Sequence, residues 1–285
     1  VYFYSSRDFS TFAASMDGGA PGDGFGSSLA AIGDFNRDKF NEFIIGAPGV
    51  AGSGTARGRI YRCYMTSTGV IGYDSLDGTV NNQQLGSAVT ALGDLDNDGF
   101  TDFVVASFGN NIINPSIQTF AGNASGLSVT SVYSGTVGSQ FGAAAVSMGD
   151  LFNNFTGAFA VSSPLDNSNE LRVFNTLNVA SGFIYSINGE DNAGFGQSLS
   201  YSPDSNGDGL GDLIIGSPLS TASDAGAVHL YSAMNGLPQM SVSPGITNEN
   251  FGISTGVIKT IDGNNQIFAG FKQASSHGGF RLIEF

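Results

Sequence analysis

The sequence predicts an all-β chain, a β-propeller of about five four-stranded blades. Three observations predict it. An aromatic residue or Leu followed by Gly recurs at a near-constant period, and each period carries the same order of strand-like segments. In addition, 42 glycines punctuate 285 residues without a collagen-like period, as turn residues between many short strands would.

The period comes first. Phe25-Gly26, Leu85-Gly86, Phe141-Gly142, Phe195-Gly196 and Phe251-Gly252 follow one another at nearly equal spacing. The stretch from Phe251 to the end, continued from Val1 to Phe25, has the same length as one period, so the pattern returns on itself. The domain reading is one propeller over residues 1–285, with repeats starting near 25, 85, 141, 195 and 251.

Within each unit an alternating stretch such as Ser27-Ser-Leu-Ala-Ala-Ile32 follows the Phe-Gly and reads as a strand. Nine residues after the aromatic lies an acidic loop. An apolar run ending in small residues comes next: Phe43-Ile-Ile-Gly-Ala-Pro48, Phe103-Val-Val-Ala-Ser107, Phe159-Ala-Val-Ser-Ser-Pro164 and Leu213-Ile-Ile-Gly-Ser-Pro218. Such short, β-branched runs fit buried inner strands. A third strand (Gly58–Tyr64, Gly226–Tyr231) and a more polar fourth (Ser128–Tyr133) complete the unit. Four strands in each repeat make a propeller blade.

Composition narrows the function. A chain of 285 residues buries roughly 75% of its unfolded surface and has a core without needing disulfides or metal. Its single cysteine, Cys63, excludes an intrachain disulfide. A net charge of −14 argues against nucleic acid and anionic membranes as partners. No apolar run has transmembrane length, so membrane insertion is not expected, and no signal peptide is read. Val rather than Met at position 1 points to processing or truncation upstream. The sequons at Asn123 and Asn154 are compatible with a secreted glycoprotein.

Ten of the 24 acids fall in three short loops. The first contains Asp34, Asn36, Asp38, Phe40 and Glu42; the second Asp94, Asp96, Asp98, Phe100 and Asp102; the fourth Asp204, Asn206, Asp208, Leu210 and Asp212. Side-chain oxygens occupy positions 1, 3, 5 and 9, and residue 7 offers its carbonyl. Calcium takes six to eight hard oxygens, and Gly at position 6 allows the tight turn around it. Lys39 replaces that glycine in the first loop. Carboxylates this dense repel one another by about 1 kcal/mol per pair at 4 Å in water and about 4 near a protein surface. Solvated Asx-turns are the alternative reading, and recurrence at one repeat position favours calcium, about three ions. The third and fifth loops keep one acid each (Asp150, Asp262) and are expected to bind none tightly.

Phe-Gly, the Asp-x-Asx-x-Asp-Gly-x-x-Asp loop and then Gly-Ala-Pro or Gly-Ser-Pro, in fixed order, resemble the FG-GAP repeat of integrin α-subunits. The resemblance covers essentially the whole chain. It implies calcium in hairpin loops on one propeller face, where it stabilises, and binding by other loops. Family propellers usually have seven blades, so five repeats depart from the pattern.

The strand count leaves a surplus. Val1–Ser5 and Phe280–Phe285 both resemble a third strand, and Ser6 to Ala14 would supply the fourth strand of the last blade. The extra strand extends beyond the ring, or the chain is part of a larger propeller, or the N-terminal strand pairs with a neighbouring subunit.

Enzymatic signatures are weak. His229 and His277 have no evident acid-base partner, and Gly252-Ile-Ser-Thr-Gly256 lies on a first strand rather than in the strand-turn-helix that a nucleophile elbow needs. The expected function is an extracellular or cell-surface, secreted, non-enzymatic adhesion or ligand-binding module. Residues 49–57, 108–116 and 165–170 would contact a protein or glycan. The alternative is a structural subunit of a surface filament or coat, a homo-oligomer joined through terminal strands.

Overall fold

The computed structural model describes residues 1–4, 12–66, 69–94, 98–109, 112–122, 127–152, 157–164, 169–189, 193–220, 225–259, 265–272 and 278–283. The chain divides into two compact units, Val1–Gly138 and Ser139–Phe285. It is all-β, with 21 strands among the described residues and one short 3-10 helix, Thr176–Ser181.

In the first unit, β1 (Tyr2–Tyr4) and β2 (Phe12–Ser15) pair antiparallel as a two-stranded sheet. Strands β3 (Ser28–Gly33), β4 (Glu42–Ala47), β5 (Arg59–Thr66) and β6 (Gly69–Asp77) form the first four-stranded blade in sequence order. The second blade is β7 (Leu85–Gly93), β8 (Asp102–Ser107), β9 (Ser116–Ala121) and β10 (Ser128–Ser134). In the second unit, the third blade is β11 (Ala145–Gly149), β12 (Ala158–Ser163), β13 (Glu170–Asn175) and β14 (Tyr185–Asn188). The fourth is β15 (Ser198–Ser202), β16 (Asp212–Ser217), β17 (Ala227–Ser232) and β18 (Pro238–Val242). A three-stranded sheet follows: β19 (Ser254–Lys259), β20 (Asn265–Lys272) and β21 (Gly278–Ile283). These sequential antiparallel sheets are the blades of a β-propeller. Within the first unit, the N-terminal strand β1 takes β2 as its antiparallel partner.

The inner strands are apolar without alternation because both of their faces are covered. Ile44 packs between the first and second blades with Ile60, Leu85, Val89, Phe103 and Val105. Its neighbour Ile45 points the other way, toward Tyr61 and Cys63, where Val1, Phe3 and Met16 of the β1–β2 segment cover it. The fourth blade repeats the arrangement. Ile215 faces Leu171, Val173 and Ile187 of the third blade, while Ile214 faces Phe251, Ile267 and Ala269 of the last sheet. Successive residues of a strand point to opposite faces, so a doubly covered strand must be apolar throughout. Burying each such Ile contributes roughly 1.5–3 kcal/mol.

The small residues that end these runs mark where backbones nearly touch. A Cβ on Gly46 would fall on the Gly86 carbonyl oxygen, and one on Gly216 would fall on the Gly252 carbonyl oxygen. Ser28 and Ser198 donate their hydroxyls to those same carbonyls at 2.8 and 2.9 Å. Parallel bridges Gly58↔Leu85 and Gly226↔Phe251 seal the same seams. Leu85-Gly86 and Phe251-Gly252 therefore each dock a sheet onto its predecessor, and the Gly of Gly-Ala-Pro or Gly-Ser-Pro leaves room for it.

Gly46→Ala is expected to lower stability by about 2–3 kcal/mol, since a backbone seam cannot relax around an added methyl. Gly72→Ala, on β6 with nothing within 4 Å of the added methyl, should stay within about 0.5 kcal/mol. Urea midpoints of the two variants check the contrast.

Candidate functional site

The acidic loops are the hairpins joining the first and second strands of a blade. In the first three blades, the first strand ends on a register shift at Gly33, Gly93 or Gly149, with φ of 72°, 91° and 61°. A left-handed glycine at a bulge turns the chain sharply into the loop.

Inside the loop the side chains organise the backbone. Asp34 accepts from the amides of Asp38 (2.9 Å) and Lys39 (2.8 Å), and Asp38 accepts from the Phe40 amide (2.9 Å). Asn36 Oδ1 accepts from the Asp38 amide at 2.9 Å. The second loop repeats this, with Asp94 holding the amides of Asp98 (3.1 Å) and Gly99 (2.9 Å) and Asp98 holding Phe100 (2.9 Å). In the fourth, Asp204 holds Gly207 (2.7 Å) and Gly209 (3.0 Å), Asn206 holds Asp208 (2.9 Å), and Asp208 holds Leu210 (2.8 Å). Gln239 on β18 also donates to Asp208 at 2.9 Å, a partner that sequence spacing offers no reason to expect. Asp96 lies outside the described residues, as do Asp262, His277, both sequon asparagines, Asn123 and Asn154, and parts of the 108–116 and 165–170 connections.

Position 9 opens the second strand and is buried. Glu42 and Asp212 are 0% exposed and Asp102 is 6%. Glu42 Oε2 accepts from the Phe35 amide at 2.7 Å, Asp212 Oδ2 from the Ser205 amide at 2.5 Å, and Asp102 Oδ1 from the Gly122 amide at 2.7 Å. The second oxygens, Glu42 Oε1 and Asp212 Oδ1, are buried without a hydrogen-bond partner. The Met65 amide and the Ser205 hydroxyl lie near enough to ease these charges, but neither makes a hydrogen bond of normal geometry to the orphaned oxygen. Burial first, and then neighbouring acids, push both carboxyls above the usual range: Asp38 acts on Glu42, and Asp208 and Asp204 act on Asp212. Among the described residues no three His, Cys, Asp or Glu side chains gather closely enough to hold a metal by themselves. A cation here would also need Asn36 or Asn206 and the backbone carbonyls.

Other candidates have structural surroundings. His229 on β17 lies 3.0 Å from the Ser241 hydroxyl and packs against the rings of Phe195 and Tyr231. Ser254 of the Gly-x-Ser-x-Gly pattern begins β19, so the helix a nucleophile elbow needs does not follow it. Cys63 is buried beside Met16, and burial pushes its thiol up to about 12. No helix among the described residues is long and apolar enough to cross a membrane.

Residues 25–61 and 195–231, the first and fourth repeats with a complete acidic loop in each, match the model of the FG-GAP repeat. The chain is 34% identical over 109 residues to integrin alpha-V of Gallus gallus, covering 36% of this chain and 10% of that protein. It is 34% identical over 120 residues to integrin alpha-E of Mus musculus, covering 38% and 10% respectively. The chain thus aligns with about a tenth of the length of these relatives.

With its thiol displaced from 9.0 to about 12, Cys63 should react with a disulfide reagent at pH 8 roughly a thousandfold more slowly in the native chain than after unfolding in urea. Absorbance of the released thiolate measures both rates.

Proposed function

From a chain that carries FG-GAP repeats similar to those of integrin α-subunits, we propose an extracellular, non-enzymatic module that binds a protein or glycan ligand on a calcium-stabilised propeller. The observation that carries the calcium reading is the recurrence of an orphaned buried oxygen, Glu42 Oε1 and Asp212 Oδ1, at the same position of two loops. A buried polar atom left unpaired costs about 1–3 kcal/mol, and more when charged, so a cation in the loop removes a penalty that water cannot reach.

The residues fit a hard cation. Asp34, Asn36, Asp38, the Phe40 carbonyl and Glu42 would hold one ion. Asp94, Asp96, Asp98, the Phe100 carbonyl and Asp102 would hold a second, and Asp204, Asn206, Asp208, the Leu210 carbonyl and Asp212 a third. Bound calcium supplies charge neutralisation and fixes the hairpins, with no part in any bond-making step. Ligand contact falls to the variable connections at residues 49–57, 108–116 and 165–170. The likeness to integrin α-subunits supports the surface location and the absence of catalysis.

Calorimetric titration should count about three calcium ions. Chelation from a hundredfold excess over Kd removes about 2.7 kcal/mol per site, a fall in Tm of roughly 5–10 °C for one site. Replacing Asp204 and Asp208 with Ala should remove one ion from the count. A chain that takes up no calcium and melts identically in chelator ends this reading.

A second reading, a surface-filament or coat subunit, rests on open strand edges. The outer edge of β21 pairs with no strand among the described residues, and Phe280 and Leu282 are 68% and 52% exposed. Tyr2 and Tyr4 are likewise exposed on β1. Deleting residues 1–14 should dissolve any assembly seen by sedimentation velocity, and an unchanged particle size after deletion rules this reading out.

A further inference from the structure

Arg37 sits at position 4 of the first loop with φ of 63°, where the fourth loop has Gly207 at 80°. Glycine adopts that backbone freely and arginine does not, so the residue is kept there against a conformational cost. Its side chain shows what is gained. The guanidinium lies 4.8 Å from the ring centre of Phe100, which is position 7 of the second loop. A Cβ on Gly99 would be 3.3 Å from Arg37 Nη2, so the side chain lies along the turn of the second loop.

A second contact runs in parallel. Phe35, 2% exposed at position 2 of the first loop, meets the Phe100 ring at 5.3 Å and 50°. The guanidinium of Arg62 also lies over its ring, 4.2 Å from the centre, and is gripped by the Asp74 carboxylate at 2.9 and 2.6 Å. A Cβ on Gly33 would lie 3.4 Å from the Thr101 hydroxyl, so the hairpins are also close at their bases. Both rings are attached to backbone that orients a carboxylate: the Phe35 amide donates to Glu42, and the Phe100 amide donates to Asp98. The fourth loop has Ser205 and Gly207 at positions 2 and 4, and therefore neither the ring nor the cation.

We propose that Arg37 and Phe35 couple the first loop to the second, so that a divalent cation held by either raises the affinity of the other, while the Asp204–Asp212 loop binds independently. The inference rests on the calcium reading above. Fixing one hairpin immobilises the Phe35–Phe100 pair and Arg37, so the second hairpin is ordered before its own ion arrives. Repulsion between two bound dications opposes the coupling, but salt screens it across solvated loops.

The test is calorimetric calcium titration of the full chain carrying Asp204→Ala and Asp208→Ala, which leaves the two neighbouring loops. Adding Asp34→Ala should weaken the remaining second-loop site by about tenfold, within the range usual for coupled sites. Adding Arg37→Gly instead should reduce the coupling to twofold or less. In chelator the Arg37→Gly chain should melt no lower than its parent, because glycine relieves the backbone strain; a purely structural role for Arg37 would lower it. Unchanged second-loop affinity in the Asp34→Ala chain, or full coupling in the Arg37→Gly chain, overturns the inference while leaving calcium binding intact. Absence of any calcium binding in the parent overturns the calcium reading and this inference together.

Discussion

Backbone must meet backbone between adjacent blades, and the rest of the structure depends on that approach. Gly46 and Gly216 have no side chain where the Gly86 and Gly252 carbonyls of the next sheet arrive, and Ser28 and Ser198 bind those carbonyls. The seam fixes the distance between sheets, which lets Ile44 and Ile45, or Ile214 and Ile215, each fill a different inter-sheet core. It also holds the first-to-second-strand hairpins of the first two blades side by side, which is why Phe35 of one loop reaches Phe100 of the next.

Charge is placed as sparingly. The chain has 10 Lys and Arg against 24 Asp and Glu. Four of the arginines hold single carboxylates in or beside the sheets: Arg59 with Asp77, Arg62 with Asp74, Arg172 with Glu170 and Arg281 with Glu249. Each of these also lies over an aromatic ring, so the guanidinium packs as well as pairs. The hydrogen bond from Arg59 holds the Asp77 carboxyl below the ordinary range. Among the described residues, Glu42 and Asp212 have no arginine partner of this kind. Both are instead buried against backbone amides with one oxygen left over.

Glu249 stands between these cases. It is 0% exposed, gives one oxygen to Arg281 at 2.5 Å, and leaves Oε2 buried without a hydrogen-bond partner. It sits just before Phe251-Gly252, and its backbone carbonyl accepts from the Lys272 amide, so it ties the entry of the last sheet to β20 and β21. The acidic loop pattern does not recur around it, and its role is that of a latch.

The sequence by itself determined the repeat, the strand order within each blade, the doubly buried inner strands and the loop positions. Those properties are local and periodic: alternation, turn residues and small residues at fixed offsets act through the nearest few neighbours. Only the tertiary structure decided that β1 and β2 pair with each other, because Val1–Ser5 and Phe280–Phe285 have the same strand pattern and the contest between them depends on contacts far apart in sequence. It alone distinguished the oxygens of Glu42 and Asp212 that backbone amides satisfy from those left bare, since burial is set by the blades packed around a loop. The tie from Arg37 to Phe100 was likewise invisible in sequence. A basic residue at position 4 reads as a solvated surface charge until the hairpin of the next repeat is brought beneath it.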